Sequence, residues 1–432
     1  MTPATTIIRS RVAHTPRDPF AEPDALEAFD DGAVAFREGR IVAAGEYARV
    51  SREHPDAETI DRRDAILLPG LVDTHVHFPQ IAVIGAMGLE LLDWLKTRTL
   101  PEEARMADAA YARATARTFI RALAANGTTT ALVFGSHFPD AQDALFEEAE
   151  RAGLRIASGL VVSDRSLRPE LEIAPDRAHA ANLELIARWH GRGRLRYAVT
   201  PRFSVSCSDA MLESCGALLD DAPDVLFTSH LDENRDEIAY VGELFPWAGD
   251  YLETYERHGC VRDRSVFAHV VHPTDAELHR LAAAGASVAH CPSSNAFLGS
   301  GIFSMRSHLE HGVRFGLGTD VGAGTGLSLF KEALMAYHVQ MVRPDGQRVG
   351  PAHLLHLATA AGARALGLEH EAGDLQPGKS ADLILVRPPA GSTLEAVLER
   401  SESWEATLGA LFTLAREESV VEVRVGGEVV SP

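Results

Sequence analysis

The stretch PGLVDTHVHFPQ, residues 69–80, carries two histidines, His75 and His77, with only Val76 between them. Side chains alternate faces along a strand, so Asp73, His75 and His77 share one face, and two imidazoles side by side there can chelate a metal. In a chain with 19 histidines an isolated H-x-H is a weak signal, so the neighbouring sequence has to supply its context.

From Leu67 onward, short β-rich runs alternate with amphipathic helical stretches. The candidate strands, in order, are LLPGLVDTHVHF, TTTALVFGS, RIASGLVV, RYAVTPRF, VLFTSHLD, SVFAHVV, ASVAHCP and RFGLGTD. Helical patterns such as AYARATARTFIRALAANG, DAQDALFEEAERAG and DAELHRLAAAG lie between them and end on glycines suited to a left-handed cap. Eight strands separated by helices predict an α/β fold, a closed (β/α)8 barrel of the TIM type. The rival, an open doubly wound sheet, lacks its G-x-G-x-x-G after the first strand. It also leaves unexplained why polar residues crowd at the strand ends, which form the catalytic face of a barrel.

The flanks read differently. GAVAFREGRIVAAGEYARV (32–50), GDLQPGKSADLILVRPP (373–389) and SVVEVRVGGEVV (419–430) are short alternating strands with glycine turns. Residues 1–66 and 371–432 are therefore expected to join in one small β-sandwich-like domain beside a barrel over 67–370.

Composition narrows the function. A formal charge of −20 would repel a phosphate backbone, so no nucleic-acid partner is expected and the substrate should be small. No apolar run approaches the ~18 residues of a membrane span, and MTPATTIIRSRVAHTPRDP lacks the apolar core of a signal peptide, which predicts a cytoplasmic protein without membrane attachment. Cys207, Cys215, Cys260 and Cys291 show no C-x-x-C spacing, so neither disulfides nor a cysteine-bound zinc is expected.

The last polar residues of the strands are His75 and His77 from the first, Arg202 from the fourth, His230 from the fifth, His269 from the sixth and Asp320 from the eighth. Zinc accepts imidazole nitrogen and carboxylate oxygen, and a catalytic site keeps one position open for a water of lowered pKa. Just past His230, in SHLDENRDE (229–237), Glu233 stands where a carboxylate could carry a proton from that water to a substrate. The alternative is a solvated acidic loop made by Asp232, Glu233, Asp236 and Glu237.

With these segments in view the sequence resembles the amidohydrolase superfamily of metal-dependent hydrolases, and within it the guanine deaminases, over nearly its whole length. PGLVDTHVHFPQ resembles the family's first metal-binding strand, VTPRFSVSCS its fourth, SHLDENRDE its fifth, SVFAH its sixth, and AHCPSSN and GLGTDVGAG its last two. The resemblance implies hydrolysis of guanine, a C–N bond in a cyclic amidine, to xanthine and ammonia by a zinc-activated water. It makes His75, His77, His230 and Asp320 the metal ligands, with zinc as the ion and iron as the alternative. Glu233 becomes the proton shuttle, His269 the partner of the water or the tetrahedral centre, and Asp320 the acceptor of the water's proton. Gln80, Arg202 and Phe203 would hold the purine, and a homodimer is the assembly implied.

Particular residues refine that expectation. Lysine occurs only at Lys96, Lys331 and Lys379, so the carboxylated lysine that bridges two metals in binuclear members has no counterpart at the end of the fourth strand, TPRFS, and one metal per chain is expected. A guanidinium fork matches the O6 and N7 acceptors of guanine, Gln80 can donate and accept, and the Phe203 ring can wall a pocket. AHVVHPT (268–274) departs from the family pattern, since relatives often carry glycine after the histidine, which bears on the loop shape. The paired H-x-E and P-C-x-x-C of the cysteine-ligated deaminases do not occur together: the one H-x-E, residues 308–310, has no P-C-x-x-C to accompany it. Two rival functions remain: a sister enzyme for another aminated purine, pterin or triazine, and a non-catalytic scaffold, against which the full ligand set argues.

Overall fold

The computed structural model describes residues 4–430. Eight parallel strands stand side by side in chain order: Leu71–His77, Thr128–Phe134, Arg155–Gly159, Arg196–Pro201, Leu226–Leu231, Ser265–His269, Ser287–His290 and Arg314–Leu317. They form the (β/α)8 barrel, and a two-residue strand, Val161–Val162, adds a further parallel pairing to the fourth. The first and second strands are buried along their whole length, as both faces of a barrel wall must be. The helices carry the punctuation their sequences announce: Gly153 and Gly285 close helices in the left-handed conformation, and Asn234 with Glu237 and Thr274 with Glu277 form capping boxes.

Closure of the barrel matters most for the site. Beyond Leu317 the eighth strand leaves regular geometry, and its continuation docks on the first strand: Asp320 N donates to His75 O at 2.8 Å, and His77 N to Val321 O at 2.9 Å. The buried Asp73 carboxylate accepts from Thr319 N at 3.0 Å and from Thr319 Oγ1 at 2.6 Å. The seam that shuts the barrel therefore sets His75, His77 and Asp320 face to face.

Both termini contribute to a second sheet of seven strands: Thr6–His14, Glu27–Arg37, Arg40–Glu46, Glu58–Pro69, Leu383–Val386, Val420–Val425 and Glu428–Val429. A bridge between Arg40 and Ser380, with Ile41 N donating to Lys379 O at 2.8 Å, brings its far edge back, and Ile8, Val12, Val34, Leu67, Leu383 and Leu385 fill the core so enclosed. One boundary and one element differ from the sequence reading. Leu67–Pro69 belong to this sheet, paired with Leu383–Leu385, and the barrel begins at Leu71. The apolar run from Ile66 to Val72 has no alternation to mark the change of sheet; Pro69 and Gly70 alone mark it. The C-terminal segment also contains a helix, Trp404–Leu414, which packs on the barrel helices Leu329–Val342 and Pro351–Ala358, with the Phe330 and Phe412 rings 5.8 Å apart. All four cysteines are buried and unpaired. No helix among the described residues is long and apolar enough to cross a membrane.

Candidate metal centre

At the C-terminal mouth of the barrel the imidazoles of His75, His77 and His230 converge on the Asp320 carboxylate. His75 Nε2 and His77 Nε2 lie 3.0 Å apart, and His77 Nε2 and His230 Nε2 3.3 Å. Asp320 Oδ1 lies 3.2 Å from His75 Nε2 and 3.1 Å from His77 Nε2. Four atoms bound at about 2.0–2.1 Å to one tetrahedral ion would be roughly 3.3 Å from one another. The spacing fits one cation at the centre.

Electrostatics point the same way. Burial drives His77 down to about 4 and lowers His75 and His230 as well, so all three rings are neutral near pH 7. His230 Nδ1 lies 2.7 Å from Arg202 O, a hydrogen bond only an Nδ1–H can make, which leaves its Nε2 lone pair facing the others. Several lone pairs and a carboxylate aimed at one point need a positive charge between them. Burial alone would push the Asp320 carboxyl up, but His75 and His77 against it hold it well below the usual carboxylate range.

His269 joins the cluster from one side. One ligand atom from each of His75, His230, His269 and Asp320 lies within 4.8 Å of the others, a grouping that takes His269 in place of His77. The pair distances favour His77 as the inner member, because His269 Nε2 stands 3.8 Å from Asp320 Oδ2 and 3.5 Å from Glu233 Oε2. His269 Nδ1 donates to Asn295 Oδ1 at 2.9 Å, which turns Nε2 towards Glu233.

The backbone beneath these groups is strained. His269, Val270 and Asp320 take φ values of 74°, 46° and 48°, left-handed for non-glycine residues. Val270 is β-branched, so the loop makes at this position a turn that glycine takes more readily. Phe134, at the end of the second strand, packs under the cluster with its ring 4.7 Å from both His77 and His230.

The acidic stretch 229–237 is not a solvated loop: Asp232, Glu233 and Glu237 are buried and Asp236 alone of its acids is exposed. Glu237 caps the helix Arg235–Leu244 and accepts from Glu233 N at 3.2 Å, which fixes the turn that presents Glu233. Burial, and then the charge of Asp320, push the Glu233 carboxyl up to about 8, while Ser300 Oγ donates to its Oε1 at 3.3 Å.

Beside the cluster lies a cavity lined by His77, Gln80, Arg202, Phe203, His230, Glu233, His269 and Asp320, with Leu91, Trp94, Leu95 and Leu298 as its apolar cover. Eight of the nine residues singled out in the sequence thus border one space, and His75 lies beneath it. Gln80 Oε1 accepts from Gly322 N at 3.1 Å. Gly322 has to be glycine for this approach, since a Cβ there would meet Gln80 O at 2.5 Å. Arg202 is buried over the Phe203 ring, 5.4 Å from its centroid.

Sequence reasoning missed two contributors and left a third, Asp73, without a role. Glu103, on the short helix Leu100–Ala104, accepts from Gln80 Nε2 at 2.8 Å and from Arg202 Nη2 at 3.0 Å; nothing in LPEEA announces it. Asn295 lies in the quoted AHCPSSN, but its role depends on a contact with a different strand. Asp73 shares the H-x-H face by strand period, and that period was the available signal for its place at the seam.

A sequence profile described as the amidohydrolase family matches residues 66–430. A probable guanine deaminase of Deinococcus radiodurans is 57% identical over 430 residues, 98% of each chain. Among solved structures, the Escherichia coli guanine deaminase superposes with a TM-score of 0.95 at 36% identity, covering 99% of both chains. A C. acetobutylicum guanine deaminase with guanine bound in its active site superposes with a TM-score of 0.91 at 25% identity, covering 99% of this chain and 100% of its own.

Proposed function

The chain belongs to the amidohydrolase family, and from that premise we propose that it hydrolyses guanine to xanthine and ammonia with one zinc ion held by His75, His77, His230 and Asp320. One observation carries the reading: ligand atoms spaced as around a single ion stand in the same cavity as Gln80, Arg202 and Phe203. The guanine deaminases among its relatives, one of them with guanine in place, support the choice of substrate.

When bound, the ion supplies Lewis acidity and a water whose pKa is lowered towards neutrality. The chain's own residues do the rest. Arg202 keeps its charge at any working pH and presents an N–H edge to O6 and N7 of the purine, while Phe203 covers the ring. Gln80 presents its second amide hydrogen and its free lone pair. Glu233, protonated near neutrality by burial, hands a proton from its carboxyl to a ring nitrogen. Asp320, held ionised by His75 and His77, takes one proton of the attacking water and passes it to the departing amine, and the second proton of that water returns to Glu233 as the carbonyl of the product forms. His269, with Nδ1–H tied to Asn295, offers Nε2 to that water and holds its orientation. Leu91, Trp94 and Leu95 keep bulk solvent away.

The test is ammonia release from purified protein given guanine, with adenine, pterins and aminated triazines for comparison. Preference for guanine supports the reading; preference for another ring, or no ammonia, overturns it. A homodimer and a cytoplasmic location belong to the same proposal, and light scattering and cell fractionation check them.

A further inference from the structure

Glu103 has no place in the metal cluster or in the proton transfers, yet both of its oxygens are taken by side chains assigned to the purine. Oε1 accepts from Gln80 Nε2 at 2.8 Å and from Arg202 Nη2 at 3.0 Å, and Oε2 accepts from Arg202 Nε at 3.3 Å. His137 Nδ1 stands 3.7 Å from Oε2, and burial brings that ring down to about 4, so it adds no charge near neutrality. Arg202 and Glu103 are both almost wholly buried, and together they carry no net charge.

The clamp has two consequences for a bound purine. With Nε and one Nη2 hydrogen committed to Glu103, Arg202 offers Nη1 and the second Nη2 hydrogen. With Gln80 Oε1 on Gly322 N and its Nε2 on Glu103, the amide cannot turn over. The second consequence is electrostatic. A buried guanidinium without its carboxylate would draw in an anion. Xanthine carries a carbonyl where guanine carries an amine, so its ring N–H groups are more acidic and it is the more anionic of the two in mildly alkaline solution.

Resting on the guanine reading above, we propose that Glu103 is a positioning and selectivity residue: by neutralising Arg202 and fixing Gln80, it makes the cavity hold neutral guanine and release the more acidic product.

The experiment compares wild type, Glu103→Gln and Glu103→Asp for metal content, for kcat and KM on guanine, and for inhibition by xanthine at one mildly alkaline pH. The other titratable groups facing Arg202, which are His75, His77, His137, His230 and Glu233, are unchanged in both variants. Glu103→Gln should keep its metal, raise the guanine KM, and tighten xanthine inhibition relative to that KM by about tenfold. Glu103→Asp keeps the charge but loses reach, so its KM should rise while the xanthine-to-guanine ratio stays within about twofold of wild type. A wild-type ratio in Glu103→Gln, or an equal shift in both variants, overturns the selectivity role. If Glu103→Gln does not fold, a ratio in Glu103→Asp shifted beyond that limit overturns it, and an unshifted ratio with a raised KM supports it. Absence of guanine turnover in wild type overturns the function reading and this inference together, whereas normal turnover with unmoved ratios overturns the role of Glu103 alone.

Discussion

The floor of the cavity rests on strand ends, whereas its wall hangs on connecting chain. His75, His77 and Asp320 sit on backbones tied across the closing seam by main-chain hydrogen bonds and by Asp73 on Thr319. Gln80 lies in the turn after the first strand, Arg202 just past the fourth, and Glu103 on a short helix in the connection from the first strand to the second; the Glu103 carboxylate joins the other two. An ion needs ligands placed to a fraction of an ångström, and a barrel rim supplies that rigidity. A purine is read by donors and acceptors, and a side-chain network on loops can be retuned for another ring without moving the floor.

Substitutions that strike the floor and the wall separately sharpen this contrast. Asp320→Asn weakens a ligand and removes a base, so metal content and guanine turnover should fall together, turnover by ~10⁴-fold or more; full activity with full metal would break the picture of the floor. Glu233→Gln stands between floor and wall, and it should retain its metal while kcat drops by ~10²–10⁴-fold, read by metal analysis beside ammonia release. Arg202→Lys keeps the charge but loses the planar fork, so kcat/KM for guanine should fall by ~10–100-fold at unchanged metal content. Unaltered kinetics in a folded protein would remove Arg202 from the wall.

The smallest effect concerns stability against pH. Burial pushes the Glu103 carboxyl up, and the Arg202 guanidinium, with His137 beside it, more than offsets that push, holding it at about 2 against an ordinary value of 4.5. A carboxyl depressed in the folded state stabilises the fold above its unfolded value, and that contribution is lost as pH falls from 4.5 towards 2. Glu103→Gln should therefore flatten the dependence of unfolding free energy on pH in this acid window and leave its slope near neutrality unchanged. Denaturant titrations at a series of pH values measure it, and an unchanged acid slope would mean that the carboxylate does not hold the wall.

The same contrast explains what the sequence made legible. Strand period put His75 and His77 on one face, and the alternation of strands and helices placed His230, His269 and Asp320 at one rim, so the floor followed from local pattern and barrel topology. Arg202 was legible at the same rim, whereas Gln80, Phe203 and the purine-binding role of all three came through the resemblance to the guanine deaminases. Glu103 did not, because its partners are 23 and 99 residues away and a glutamate on a helix gives no local sign of burial. The left-handed turns at His269 and Asp320 were invisible for a similar reason: tertiary contacts at the rim impose them on residues that do not favour them. The switch from the terminal sheet to the barrel at Gly70 was lost within an unbroken apolar run, and the helix Trp404–Leu414 was overlooked among short strands.

The most direct test of a one-ion guanine deaminase is a zinc titration of metal-stripped protein with xanthine formation as the readout. The account predicts no turnover without metal and a linear rise that saturates at one equivalent per chain. Saturation at two equivalents, or undiminished turnover in the metal-free protein, would contradict it.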